Sequence, residues 1–344
     1  MSRPRFVMRP SRLDDIGALM DLAELSGPGF TSLPVNEALL HSRLKASEKA
    51  FHRRSERPQS GKFLMMLEDR EDGSVGGCCA VKAGVGIDTP FFNYRIITLA
   101  QASQAAERRF DMDSLILTNE FVGFTEVGTL FLRPEMRGKG VGRLVAQSRY
   151  LLMAAAPDAF SDQVLAELRG VVDEEGGTPF WECLGRHFFR MSFPEADFLS
   201  ATSDNQFILD LMPKYPIYVD LLPPEAREVI GRCHAQGVGA MKLLEWEGFR
   251  FERVVDIFDG GPLVKCERQN IRTIRESQVL TLQPGALDKD APHALISSDC
   301  LPNYRVVTAP VKVNAPTLIA DPGVLEALEL KPGDPVRAWT RSAE

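Results

Sequence analysis

No stretch of this sequence comes near the ~20 consecutive apolar residues that a membrane-crossing helix requires, so no membrane partner is expected. The six cysteines (Cys78, Cys79, Cys183, Cys233, Cys266 and Cys300) include no CxxC pair and keep no regular spacing. That excludes the common zinc and dithiol motifs and points to reduced thiols in a reducing compartment. HExxH and an EF-hand loop are missing as well, so no metal centre is expected. Cationic excess is lacking too: Lys+Arg 40 against Asp+Glu 47 leaves a formal charge of -7, which argues against a duplex nucleic-acid partner. The N-terminus Met1-Ser2-Arg3-Pro4-Arg5 is charged, but the apolar stretch behind it stops at Arg9. This is no secretory signal, and a cytoplasmic protein is expected.

What is present is the composition of an ordinary globular protein, 44% hydrophobic and 25% charged, at a length of 344 residues that allows two or three compact units. Phe6 to Pro10 is expected as a strand, followed by a helix over Ile16 to Leu25 and a second over Asn36 to Phe51. Phe63–Glu68 and Gly76–Val81, joined by Asp69-Arg70-Glu71-Asp72-Gly73, predict a hairpin. Val85 to Leu115 is less regular, with Phe91–Leu99 as its best strand. Phe180-Trp181 and Leu243-Leu244 each precede a glycine, Gly185 and Gly248, by five and four residues. The rhyme fits either a duplicated helix-to-strand unit or two unrelated helices closed by glycine. From Glu276 onward short strands dominate and suggest a small, partly closed barrel.

The strongest local feature comes after the strand Val127–Arg133: Arg137-Gly138-Lys139-Gly140-Val141-Gly142-Arg143, at the opening of a helix whose Val141, Leu144, Val145, Ser148 and Leu152 keep helical spacing. Glycines let the backbone approach a ligand closely, and the first amides of a helix lack internal partners, so the turn suits a pyrophosphate. Arg133, Arg137, Lys139 and Arg143 against the single Glu135 concentrate positive charge in an acidic chain. A Walker loop is excluded because no Gly-Lys-Ser/Thr closes it, and a dinucleotide fingerprint because Arg143 stands at the last glycine. The bland alternative is a strand-to-helix turn with solvated basic residues.

The R-x-x-G-x-G arrangement between a strand and an amphipathic helix resembles the acyl-CoA-binding loop of the GNAT superfamily of N-acyltransferases. More of the chain is similar to one family within it. Phe30-Thr31-Ser32-Leu33-Pro34, Asn93-Tyr94-Arg95, Thr129-Leu130-Phe131-Leu132, Glu167-Leu168-Arg169-Gly170-Val171-Val172-Asp173-Glu174, Pro179-Phe180-Trp181, Met212-Pro213-Lys214-Tyr215-Pro216-Ile217-Tyr218 and Asp256-Ile257-Phe258-Asp259-Gly260-Gly261-Pro262 resemble the arginine N-succinyltransferases in order. The resemblance implies an α+β fold: a GNAT-like mixed sheet flanked by helices, with additional α/β elements and a small C-terminal β-rich domain. Residues 1–195 would form the acyl-CoA-binding core, 196–268 a second, similar α/β segment packed on it, and 269–344 the β-rich domain.

The same resemblance implies transfer of succinyl from succinyl-CoA, a co-substrate, to the α-amine of L-arginine in arginine catabolism, with no metal or prosthetic group. It further implies that Leu130 contacts the succinyl-CoA, that Arg137, Gly138, Lys139, Gly140, Val141 and Gly142 form its loop, and that His234 is the proton donor. A homodimer or an oligomer with a homologous chain is implied too, since some relatives work in pairs. Near His234 the sequence departs from the family, with Ala235 in place of a usual Pro and Gly237 in place of a frequent Thr. An acyltransferase for ornithine or another amino acid, and a non-catalytic partner subunit, therefore stand as alternatives.

Chemistry adds further candidates. An ammonium cannot attack a thioester, so a base must take its proton, an oxyanion wants fixed donors and the leaving sulfur wants a proton. His234 has a suitable intrinsic pKa; Glu126 is a rival base, although a lone carboxylate before a strand is more often merely solvated. A guanidinium calls for carboxylates, with Glu167, Asp173, Glu174, Asp256 and Asp259 as candidates. Arg95 or Arg169 is placed to hold a substrate carboxylate.

Overall fold

The computed structural model describes residues 3–27, 30, 32–53, 60–138, 140–173 and 176–340. Its strands are β1 (Phe6–Pro10), β2 (Gly61–Asp69), β3 (Val75–Ala83), β4 (Asn93–Ser103), β5 (Arg108–Thr118), β6 (Thr125–Leu132), β7 (Gln163–Glu167), β8 (Ile217–Tyr218), β9 (Arg250–Asp256), β10 (Pro262–Glu267), β11 (Gln278–Pro284), β12 (His293–Ser298), β13 (Val306–Asn314), β14 (Thr317–Ala320) and β15 (Pro335–Thr340). They form one sheet in the order β12-β15-β11-β14-β13-β1-β2-β3-β6-β7-β10-β9-β4-β5-β8. Pairing is antiparallel except for β6 with β7 and β11 with β14. The mixed sheet with flanking helices that the sequence implies is the observed architecture.

Three helices shape the centre of this sheet. The first, α1 (Ile16–Ser26), and the second, α2 (Glu37–His52), cover one face of β2 and β3, where Leu19, Leu22, Leu40 and Leu44 pack against Leu64, Met66 and Cys78. Asn36 caps α2 by accepting the Leu39 amide at 3.0 Å, and Glu37 and Lys49 sit at the ends that the helix dipole favours. On the other face lies α3 (Val141–Ala155), whose Leu144, Val145, Leu151 and Leu152 pack with Met65, Leu67, Cys79 and Val81. Successive strand residues point to opposite faces, so neighbouring Cys78 and Cys79 enter different cores. Both are buried, as packing residues should be, and burial raises both thiols, Cys79 to about 11.

At the C-terminal end β12 also pairs with β13, which closes β11 to β15 into a five-stranded ring around Leu282, Ile296, Val311, Leu318 and Val336. The helix Pro322–Leu328 plugs it with Val324 and Leu328. Against the core, the buried Tyr304 hydroxyl donates to the Ser148 carbonyl of α3 at 2.7 Å, and Trp339 meets Trp246 edge-on at 5.7 Å. The ring thus braces the helix that begins with the glycine loop.

The expected strand Phe91–Leu99 is present as β4, while one reading falls short and one open choice is settled. The irregular region after Val85 contains a long hairpin, β4 with β5, paired from Asn93↔Thr118 to Ser103↔Arg108. Much of it is exposed on both faces, so it lacks the half-buried alternation that marks a strand in sequence. The rhyme also dissolves: Gly248 ends the helix Val238–Glu247 in a left-handed conformation ahead of β9, whereas Gly185 lies inside a widened helical turn, Trp181–Gly185, that runs on through Phe189 with no strand behind it. At Gly185 the Trp181 ring lies so close that a Cβ would collide with it, so packing explains that glycine.

Candidate active site

Parallel β6 and β7 pair at Thr125↔Val164 and Glu126↔Leu165 and then part, β6 staying with β3 and β7 with β10. A cavity of about 630 Å³ opens in the gap, with Val127 to Leu132 on one wall and Ala166 to Arg169 on the other. On β6 the ladder to β3 is interrupted. Gly128 faces Ala80 and Phe131 faces Cys78, so Thr129 and Leu130 together oppose Cys79. Thr129 takes φ 51°, costly for a β-branched residue and sustained only because the surroundings dictate it. A bulge of this kind frees backbone groups from the ladder and turns them aside, here on the wall of the cavity.

Below that wall α3 begins. Its N-cap is Gly140 at φ 79°, no side chain caps the helix, and the side chain of Val141 is buried in the core. The first amides therefore keep no partner within the helix and face outward. Gly138, at φ 78°, and Gly140 both have open space where a Cβ would stand, so an approaching ligand meets bare backbone. Arg137 lines the cavity, its guanidinium 5.9 Å from the Phe131 ring centre. Lys139 lies outside the described residues. The charge concentration expected from sequence is thinner than the count suggests: Arg133 pairs with Asp21 at 3.1 Å, and Arg143 stacks on Trp246 at 5.2 Å. Neither lines the cavity.

The cavity passes through the gap to the other face of the sheet, where strand register builds a charged floor. Lys62 stands opposite Lys82, and Lys82 opposite Glu126. Further across, Asn93 stands opposite Asp256 and donates its Nδ2 to Glu167 at 2.7 Å. One end of this floor is basic (Arg43, Lys62, Lys82) and the other acidic (Glu167, Asp256, Asp259). Burial, then the charges of Asp256 and Glu126, pushes the Glu167 carboxyl well above the usual carboxylate range. Burial, then Asp259, raises Asp256 too. At the basic end burial brings Arg43 down to about 10, and burial with Arg43 beside it brings Lys62 down to about 7.

His234 closes the cavity from the loop before the helix Val238–Glu247. Its amide donates to the Arg169 carbonyl at 2.8 Å, and its Nδ1 accepts the Gln236 amide at 3.2 Å. An Nδ1 that accepts cannot carry the proton, so the neutral ring is protonated at Nε2. Burial, then the positive charge of Arg169, holds its pKa below the usual 6.5 and keeps the ring neutral at pH 7.

The sequence match is decisive. A family model described as "Arginine N-succinyltransferase beta subunit" matches residues 6–273, and one for its C-terminal domain matches 275–340. An arginine N-succinyltransferase of Escherichia coli O139:H28 is 42% identical over 98% of both chains, and one of Shigella flexneri agrees to the same extent. The chain belongs to the arginine N-succinyltransferase family. A solved structure, the arginine/ornithine succinyltransferase subunit AI of Pseudomonas aeruginosa, superposes with a TM-score of 0.90 at 30% identity, over 99% of this chain and 100% of that one.

In this succinyltransferase Leu130, Arg137 and Gly142 line one cavity with His234, although 92 residues or more separate them from it in sequence. Of the carboxylates considered for a guanidinium, Glu167, Asp256 and Asp259 line that cavity. Asp259 is already committed, accepting the Gly170 amide at 2.6 Å and the Gly261 amide at 2.8 Å, and so ties two loops together. Asp173 closes a turn by accepting the Gly177 amide and does not line the cavity, and Glu174 lies outside the described residues. Arg95 is ruled out as a carboxylate holder, because Glu120 occupies it at 2.6 and 2.7 Å away from the cavity; Arg169 does line it. Glu126, taken for a solvated side chain, is a wall residue whose Oε1 lies over Gly128. Arg43, Lys62 and Lys82 escaped notice altogether. Their signal was a lysine at an inward position of each of two strands, visible only once register places them side by side. Among the described residues no group of three His, Cys, Asp or Glu side chains is set to hold a metal, and no helix is long and apolar enough to cross a membrane.

Proposed function

We propose that the chain transfers the succinyl group of succinyl-CoA to the α-amine of L-arginine. The observation that carries this reading is one cavity that joins an uncapped, glycine-opened helix start to a half-buried carboxylate pair through the gap between β6 and β7. The helix start suits a pyrophosphate, held by the backbone of Gly138, Gly140, Val141 and Gly142 with Arg137 and Lys139 beside it. The gap suits the extended arm of the thioester. Glu167 and Asp256 suit a guanidinium, which would satisfy two half-buried carboxyls at once. In this reading residues 1–195 hold the thioester, 196–268 supply His234 and half the acceptor end, and 269–344 brace α3. The Pseudomonas relative is described as a subunit, which supports an assembly with a second copy or a homologous chain.

The arginine ammonium first loses a proton, which Glu126 is positioned to take. The nitrogen then attacks the thioester carbonyl; a C–N bond forms while charge gathers on oxygen, and the Leu130 amide at the bulge stabilises it. As the C–S bond breaks, the second proton on nitrogen passes through water to the departing sulfur, which leaves as a thiol. The Nε2–H of His234 holds the sulfur as it departs. Neutral imidazole is the right form for this, since Arg169 and the Gln236 amide both disfavour a second ring proton.

A thiol-release assay on the purified protein tests the reading. Release from succinyl-CoA should depend on arginine, with kcat/KM for ornithine, which lacks the guanidinium, lower by about tenfold or more. Preference for ornithine overturns the acceptor, and binding without release makes the chain a non-catalytic partner. A second expectation concerns protons. The Asp256 carboxyl, pushed up to about 8 by burial and by Asp259, holds its proton in the ligand-free protein at pH 7, and a guanidinium favours its ionised form. Arginine binding should therefore expel on the order of one proton, and its affinity should rise with pH through neutrality. Calorimetry in phosphate and in Tris reads this directly: the apparent enthalpy should differ between buffers, and less so in Asp256→Asn. Equal enthalpies would remove the carboxylate pair from the acceptor site.

A further inference from the structure

Proton transfer, attack and departure of the sulfur leave the basic end of the cavity without a task. Arg43 comes from α2, Lys62 from β2 and Lys82 from β3, and all three line the same end of one cavity. Among the described residues none of them forms an ion pair, and Arg43 donates to a neutral acceptor, the Ser32 carbonyl, at 2.6 Å. The nearest anion in the row, Glu126, turns its Oε1 over Gly128 rather than onto either lysine. Three half-buried cations with one carboxylate nearby, and none in ion-pair contact, leave positive charge that a ligand anion would balance.

Position says which anion. The bulge at Thr129 and Leu130 is on β6 opposite Cys79, and Lys82 stands three positions along the adjacent strand with Lys62 one strand further, so the nearest cation is rooted about 11 Å from the bulge, on the side away from Glu167 and Asp256. A four-carbon diacid spans about 4 Å between its two carboxyl carbons, the length of three C–C bonds. With about 6 Å more from an extended lysine side chain, a far carboxylate on a carbonyl seated at the bulge comes within reach of Lys82 and of Lys62 beside it. The acceptor's guanidinium is drawn the opposite way by the acidic end.

We propose that Arg43, Lys62 and Lys82 form the subsite for the far carboxylate of a dicarboxylic acyl group, and that they select the acyl donor. The proposal rests on the acyl-transfer reading and adds the residues that discriminate between donors. A neutral acyl group leaves the three cations unsatisfied, and so loses against a diacid.

The test compares succinyl-CoA with acetyl-CoA on the full chain and on Lys62→Met, Lys62→Arg and Arg43→Gln. In Lys62→Met the ratio of kcat/KM for the two donors should fall by about 30- to 100-fold, the worth of a charge-assisted contact in a dry site. Lys62→Arg should keep most of the ratio, which a merely structural role would not do. Arg43 is on a helix, so Arg43→Gln decides the matter if Lys62→Met does not fold. An unchanged donor ratio in the folded variants overturns the proposal. So does a loss that appears instead in the ratio of arginine to agmatine, its decarboxylated analogue, because the cations would then serve the acceptor. Calorimetric affinities for the two thioesters give the same ratio without turnover. Absence of thiol release would therefore sink the proposed reaction while leaving the subsite judged by binding.

Discussion

Gly140→Asp should cut affinity for succinyl-CoA by at least about 100-fold while leaving the fold intact. Three effects add. A residue with a Cβ is strained at φ 79°, although aspartate bears the left-handed region better than most. Its carboxylate faces a diphosphate of the same sign. It also accepts from the first amides of α3, the groups that no side chain now engages. This last effect offsets part of the backbone strain, so affinity should fall far more than stability changes. Calorimetry with succinyl-CoA, paired with thermal unfolding, separates them, and Gly140→Ala isolates the backbone strain from the charge. Undiminished affinity in the aspartate variant would mean that the pyrophosphate lies elsewhere.

The second large effect is on chemistry. His234→Ala should lower kcat by roughly 10²- to 10³-fold, the usual contribution of one positioned proton-transfer group, with succinyl-CoA affinity nearly unchanged. The pH profile gives an independent reading. Because burial and Arg169 lower the pKa of this histidine, the active neutral ring persists at pH 7 and is lost as pH falls through a value below 6.5. The acid limb of kcat at saturating arginine should lie there in the natural enzyme and vanish in the alanine variant. A limb that survives the substitution belongs to another group, and full turnover by the variant would take His234 out of the reaction.

How far the sequence alone reached depends on the range of the signal. The helices α1, α2 and α3 and the β2–β3 hairpin follow from apolar spacing and turn residues within a dozen positions, and the observed ends fall within a few residues of those expected. The uncapped helix start at Gly140 was legible for the same reason, since it is a property of consecutive backbone groups. The charged floor was not. Asn93 and Glu167 are 74 residues apart, and Asp256 joins them only because β9 returns beside β4. Lys62, Lys82 and Glu126 each look like an ordinary surface charge, because strand alternation tells which face a side chain takes but not what covers that face. The misjudged side chains, Arg95, Arg133 and Arg143, failed for the complementary reason: partners distant in sequence had already engaged them.

The pairing of β1 with β13, Val7↔Val307 and Met8↔Val306, bears on how the chain is made. The first strand to leave the ribosome acquires its second neighbour only when almost the whole polypeptide has been synthesised, which at 5–20 residues per second is roughly 15–60 s later. Until then one edge of the nascent sheet is open to any extended peptide that meets it. Chaperones that hold nascent chains, or slow pausing before the last domain, would have their largest influence on yield through this one seam.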